Sequence, residues 1–88
     1  MEPIIGKWIE NGHNVYEFHE DETFRNYSTS TDFKLEGQYY IKKRLFGKDL
    51  LTISVSTASN TLKFAVDGNS LSLYPNDGGN PIVFERMN

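Results

Sequence analysis

Residues 4–24 read IIGKWIENGHNVYEFHEDETF, and their pattern decides the fold. Apolar and polar residues alternate with period two, the spacing of a strand with one buried face. The first strand is expected over Gly6–Glu10. It ends at Asn11-Gly12, a two-residue signal for the turns that match strand twist. The second runs His13–Phe18, and the acidic tip His19–Glu22 returns the chain into a third strand, Thr23–Ser28. Two tight turns within so short a stretch leave no room for a helix.

The same alternation continues to the end of the chain. A polar loop, Thr29–Lys34, precedes a fourth strand at Leu35–Lys42. The loop Lys43–Asp49 leads to a fifth at Leu50–Ser56, with a turn at Thr57–Asn60. The sixth strand is Thr61–Asp67, Gly68-Asn69 makes another hairpin, and the seventh is Ser70–Tyr74. Pro75–Asn80 is a loop, and Pro81–Met87 is the eighth strand, where Pro is tolerated at the start. Short strands at regular spacing with tight turns predict an all-β fold, a small eight-stranded antiparallel up-and-down meander barrel spanning residues 1–88 as a single domain.

Strand parity sorts the faces. Trp8, Tyr16, Phe18, Phe24, Tyr39, Ile41, Leu51, Ile53, Val55, Leu62, Phe64, Val66, Leu71, Leu73, Ile82 and Phe84 share the inward face. Lys7, Glu17, Arg25, Gln38, Thr52, Ser54, Lys63, Asp67, Ser72 and Glu85 share the outward one. No carboxylate is expected to be buried. An open meander would leave two sheet edges that invite aggregation, and pairing the first strand with the last removes them. Arg86 has the inward parity of Phe84, so its guanidinium is expected to cover the Trp8 indole at the closing seam. Gly6 lets the chain bend at that point.

Composition limits the functions. The chain has 88 residues, no cysteine and a formal net charge of −3. Disulfides and thiolate metal sites are excluded. The acidic balance argues against nucleic acid, despite the short Lys42-Lys43-Arg44 run. No stretch reaches the length of an apolar membrane span, and no signal-type apolar run is present. The Met-Glu-Pro opening leaves the compartment open between the cytoplasm and the cell envelope.

The ordered pieces Gly6-Lys7-Trp8, Tyr16-Glu17-Phe18, Phe18 to Phe24, Gly37-Gln38-Tyr39-Tyr40-Ile41, Leu51-Thr52-Ile53 and Gly68-Asn69-Ser70-Leu71 carry a resemblance. The chain resembles the small bacterial lipocalin-like domains of unassigned function, within the lipocalin superfamily. Glu22 stands where that pattern has Gly, which leaves the hairpin type there open. The resemblance implies a barrel fold and, for many such domains, export, but no defined activity.

Candidate sites follow from the faces. A filled interior, or a small cleft at one mouth, is expected. Tyr16, Tyr39 and Phe64 are the candidate walls of a hydrophobic ligand site, with Thr29–Lys34 and Lys43–Asp49 as its rim. Tyr40, Tyr74 and Phe46 are the candidate interaction residues, alongside Tyr27 and Phe33. Leu45 and Phe46 alternatively fold back to cap one barrel end. The acidic tip and the pair His13 and His19 lack convergent metal-ligand spacing. Asn76–Asn80 lacks the helix of a phosphate loop.

No nucleophile–base motif is present, so no enzyme activity and no cofactor are expected. The leading expectation is a non-enzymatic binding module, taking a small hydrophobic ligand at the barrel mouth and acting as a monomer. The alternative is a protein interaction or inhibitor module acting through surface loops and the N-terminal segment Met1–Ile5. A structural domain of a larger exported protein is the third reading.

Overall fold

A computed structural model describes residues 3–87. Eight strands follow one another: β1 Gly6–Glu10, β2 Asn14–Phe18, β3 Thr23–Ser28, β4 Lys34–Lys42, β5 Asp49–Val55, β6 Ala58–Asp67, β7 Ser70–Tyr74 and β8 Ile82–Arg86. Each pairs antiparallel with its chain neighbour, and β8 returns to β1, closing the barrel. Among the described residues there is no helix.

The turns set the register. At the first hairpin Asn11 and Gly12 have φ of 57° and 75°, and the His13 N–H donates to the Glu10 carbonyl at 3.3 Å. His13 belongs to this turn, so β2 begins one residue later than its alternation suggests. At the second hairpin Glu22 itself takes φ 69°, the conformation that a Gly would supply. Neighbouring bonds hold it there: His19 N–H donates to Thr23 O at 3.0 Å and Tyr39 N–H to Glu22 O at 3.0 Å.

The structure also differs from the expected turn at Thr57–Asn60. The turn is Ser56-Thr57, with Ser56 at φ 57°, and β6 already starts at Ala58. Val55 pairs with Ala58, and Ile53 with Asn60. Ala58, Ser59 and Asn60 have turn-like composition, but β5 offers them a complete ladder of hydrogen-bonding partners, and the ladder prevails.

The core comprises Ile4, Trp8, Phe18, Phe24, Tyr39, Leu51, Phe64, Leu71, Leu73 and Phe84, with Tyr16 and Leu62 among the partly buried residues against it. Aromatic rings meet through edges and tilts. Tyr16 lies 5.2 Å from Phe24 and 4.7 Å from Phe84, and Phe18 lies 5.1 Å from Tyr39. Ile82, of inward parity, is 44% exposed because β8 begins at the barrel rim.

Two glycines are required by close approach. An added Cβ at Gly37 would overlap the Ser54 carbonyl, so β4 can lie this close to β5 only without a side chain there. Gly6 has φ 133°, and a Cβ there would sit 2.9 Å from an Arg86 guanidinium nitrogen.

The seam is short, with the register pairs Trp8–Arg86 and Ile9–Glu85. Side chains reinforce it. The Arg86 guanidinium lies over the Trp8 ring, 4.2 Å from its centroid. It also donates to the carbonyls of Ile5 at 3.1 Å and Pro3 at 2.9 Å. The Trp8 indole N–H donates to the Ile4 carbonyl at 2.8 Å. Ile4 is completely buried, so residues 3–5 plug this end of the barrel.

Arg86→Ala removes a cation–π contact and two charge-assisted hydrogen bonds, so it should lower unfolding free energy by about 2–4 kcal/mol. Arg86→Lys should recover only part of this, since an ammonium cannot serve both carbonyls and the ring. Urea titration followed by Trp8 fluorescence reads both. Gly37→Ala should destabilise by about 1–3 kcal/mol or more, through backbone displacement, in the same assay.

Candidate functional site at the barrel mouth

The up-and-down topology gives the barrel two unlike ends. The plugged end holds Pro3–Ile5, the His19–Glu22 tip, the Lys43–Lys48 loop and the Gly68-Asn69 turn. The other end holds the Asn11–His13 turn, the loop 29–33, the Ser56-Thr57 turn and the loop 75–81. This second end is open.

Its hollow is lined by inward positions of β2 to β7. A cavity of about 240 Å³ is walled by Tyr16, Phe24, Leu35, Ile53, Val55 and Leu62, with Ala58 and Asn60 at its edge. A second hollow of about 390 Å³ shares Tyr16, Asn60, Leu62 and Leu73 with it and extends to Asn76, Asp77 and Ile82. The contacts of Tyr16 with Phe24 and Phe84 form an aromatic floor beneath both.

Polar groups line one side of the opening. Asn26 donates to Asn14 Oδ1 at 2.8 Å and to the Val15 carbonyl at 3.0 Å. Asn14 in turn donates to Glu10 Oε1 at 3.0 Å. These residues have inward parity, so an oriented amide chain ends in a carboxylate at the rim. Burial, and secondarily the Glu10 charge, push the Tyr16 phenol above its ordinary range. Tyr16 therefore stays a neutral hydroxyl at the hollow's wall. An apolar cavity with a few placed polar groups is the usual composition of a small-molecule site.

The candidate wall residues separate. Tyr16 lines the mouth. Tyr39 lies towards the plugged end, where its hydroxyl donates to the His19 carbonyl at 2.7 Å. Phe64 is packed in the core. Of the two rim loops, Thr29–Lys34 is at the mouth and Lys43–Asp49 joins strands at the opposite end, so they do not frame one opening. Leu35, Ala58, Asn60 and Leu73 complete the site. The turn-like composition of their segment hides Ala58 and Asn60; their spacing of four and two residues from Leu62 is the available signal.

The candidate interaction residues lie elsewhere. Leu45 is 90% and Phe46 83% exposed, so they do not cap the barrel. Tyr40 is half exposed on the outer wall. The Tyr74 ring is covered by the Lys48 ammonium at 4.7 Å. Of the N-terminal segment, Met1 and Glu2 lie outside the described residues, and Ile4 is held in the core.

The outer wall of β1–β4 carries a charge row that the alternation does not reveal. Cross-strand register aligns Lys7, Glu17, Arg25 and Glu36. Arg25 reaches Glu36 at 3.0 Å, and Lys7 approaches Glu17 at 3.9 Å. Glu17 is only 7% exposed, against the expectation that no carboxylate is buried. Outward parity does not ensure solvation, because the flanking long side chains of Lys7, Arg25 and Tyr27 cover it. Burial acts to raise its pKa, but hydrogen bonds from His19 and Tyr27 and the Lys7 and Arg25 charges outweigh that and hold it below the ordinary carboxylate range.

His19 bridges Glu17 at 2.8 Å and Thr23 at 2.7 Å. The Thr23 hydroxyl also meets Asp21 Oδ1 at 2.6 Å, so the four side chains form one hydrogen-bonded staple across the hairpin. Among the described residues no group of three or more metal-ligating side chains converges. Comparison with protein-family models, curated proteins and solved structures gives no significant match.

The depressed Glu17 pKa fixes the sign of a pH effect. The folded state binds this proton more weakly than the unfolded chain. The resulting stability is fully present above the unfolded value and is lost as pH falls through the folded value. Glu17→Gln should cost about 1–3 kcal/mol at neutral pH. The gap between wild type and variant should close in acid, below the ordinary carboxylate range. Urea midpoints measured across pH test this.

Proposed function

We propose that this protein is a non-enzymatic carrier or sensor barrel of lipocalin-like kind, which takes a small apolar molecule with a polar end at its open mouth. The supporting observation is the asymmetry of the barrel: one end is sealed by Ile4, Trp8 and Arg86, while the other exposes an apolar hollow above an aromatic floor. At about 240–390 Å³ the hollows suit a short ligand, at the low end of small-molecule sites. The ligand's apolar part would lie against Tyr16, Leu35, Leu62 and Leu73. Its polar end would meet the Glu10–Asn14–Asn26 chain or Asn60, favouring a group that donates hydrogen bonds.

The inhibitor reading through a free N-terminal arm is less well supported, since Pro3 and Ile5 accept from Arg86 and Ile4 fills the core. A surface role is favoured by the exposure of Leu45 and Phe46.

Native mass spectrometry and displacement of an apolar dye by medium-chain fatty acids, alcohols and amines test the proposal. Ala58→Phe fills the mouth from an exposed inward position and should weaken dye binding by about tenfold or more, with the melting temperature kept. Thr61→Phe, on the outward face, should bind like wild type. A wild-type protein that takes up neither dye nor amphiphile, or an Ala58→Phe variant that binds equally well, would refute the mouth as the site.

A further inference from the structure

The end of β4 and the loop after it, Lys42–Lys48, have the sequence Lys-Lys-Arg-Leu-Phe-Gly-Lys. Lys42, Lys43, Arg44 and Lys48 are four of the nine cationic residues, in a chain of net charge −3. The loop also carries the two most exposed large apolar side chains described, Leu45 at 90% and Phe46 at 83%.

This exposure is built by the turn. The Arg44 N–H donates to Asp49 Oδ1 at 3.0 Å, and Arg44 Nε donates to the Lys48 carbonyl at 2.8 Å. Gly47 closes the loop at φ 80°, and a Cβ there would sit 3.0 Å from an Arg44 guanidinium nitrogen. Arg44 thus folds back across its own turn and leaves Leu45 and Phe46 at the tip. Lys43 pairs with Asp49 at 3.5 Å.

The adjoining outer wall extends the positive surface. Cross-strand register sets Lys42 beside Leu50, Leu50 beside Lys63, and Lys63 beside Tyr74. Lys48 and Lys63 line a hollow of about 360 Å³ with Tyr74 and the Pro75–Gly79 loop.

We propose that this loop docks the protein on an anionic phospholipid surface, with Leu45 and Phe46 entering the interface and Lys42, Lys48 and Lys63 facing lipid phosphates. A projecting tip with two apolar side chains suits the yielding boundary of a bilayer, where buried apolar area and attraction to anionic headgroups act together. The alternatives fit less well. Leu45 has no ring on which a nucleobase could stack. An acidic peptide would be matched by the lysines but would leave the apolar tip in water. This inference is independent of the mouth site.

The test is flotation of the full chain with vesicles of phosphatidylcholine, alone or mixed with phosphatidylglycerol. Wild type should float with the mixed vesicles, release as salt is raised, and bind the neutral ones weakly. Leu45→Ser with Phe46→Ser should lower partitioning about tenfold or more, with the melting temperature unchanged. Lys42→Ser with Lys48→Ser should do the same and remove most of the salt dependence. Absence of flotation with mixed vesicles overturns the proposal, as does flotation that both double variants retain. Binding to an oligonucleotide or a polyglutamate peptide without vesicle binding overturns it in favour of those partners.

Discussion

Closure of this barrel rests on Arg86. Every other neighbouring strand pair shares four to seven register pairs, whereas β1 and β8 share two. Main-chain bonding alone gives the seam little strength. One side chain supplies what the ladder lacks. Its guanidinium covers Trp8 and holds the Pro3 and Ile5 carbonyls, so it ties β8 to β1 and to the plug. Gly6 makes this geometry possible, because a side chain there would occupy the guanidinium's place. The same packed cation thus reinforces the continuity of the sheet and, with the Trp8–Ile4 hydrogen bond, the sealing of one end.

Sealing one end leaves the larger apolar hollows at the other. Trp8, Ile4 and the aromatic cluster of Phe18, Phe24, Phe84 and Tyr39 occupy the interior towards the plug. Above Tyr16 the inward positions change character: Asn14 and Asn26 on β2 and β3, Ala58 and Asn60 on β6. Polar and small side chains cannot fill that volume by close packing, so the barrel loses density towards its mouth.

Much of this was legible in the sequence, and the failures have physical causes. The eight strands, the closed meander and the encounter of Arg86 with Trp8 follow from parity and from the need to pair two edges. Those are local patterns combined with one global constraint. Two features depended on register instead. Glu17 looks solvated by alternation, yet Lys7, Arg25 and Tyr27 flank it across strands, and only the pairing shows that they cover it. Ala58–Asn60 looks like a turn by composition, yet Ser56 adopts positive φ and yields a two-residue hairpin. That composition conceals Ala58 and Asn60, which line the mouth. Topology, too, separates Tyr16 from Tyr39: they share a parity but lie towards opposite ends of the barrel.

The hollow is better understood as an unfilled position than as an excavated one. At the plugged end the chain itself supplies the stopper, since Ile4 inserts beside Trp8 and is completely buried. The mouth has the same inward apolar rows, ending in Leu35, Val55 and Leu73, but the segments nearest to it are turns fixed by their own hydrogen bonds. His13 is bonded to Glu10, and Asn76 donates to the Thr61 carbonyl at 2.9 Å. Neither turn carries a large apolar residue that could swing inward. Burying the mouth's apolar lining would contribute free energy that the folded chain does not capture on its own. Closing the mouth with either of these turns would have to break those bonds, whereas a small apolar molecule could cover the same surface with every one of them intact.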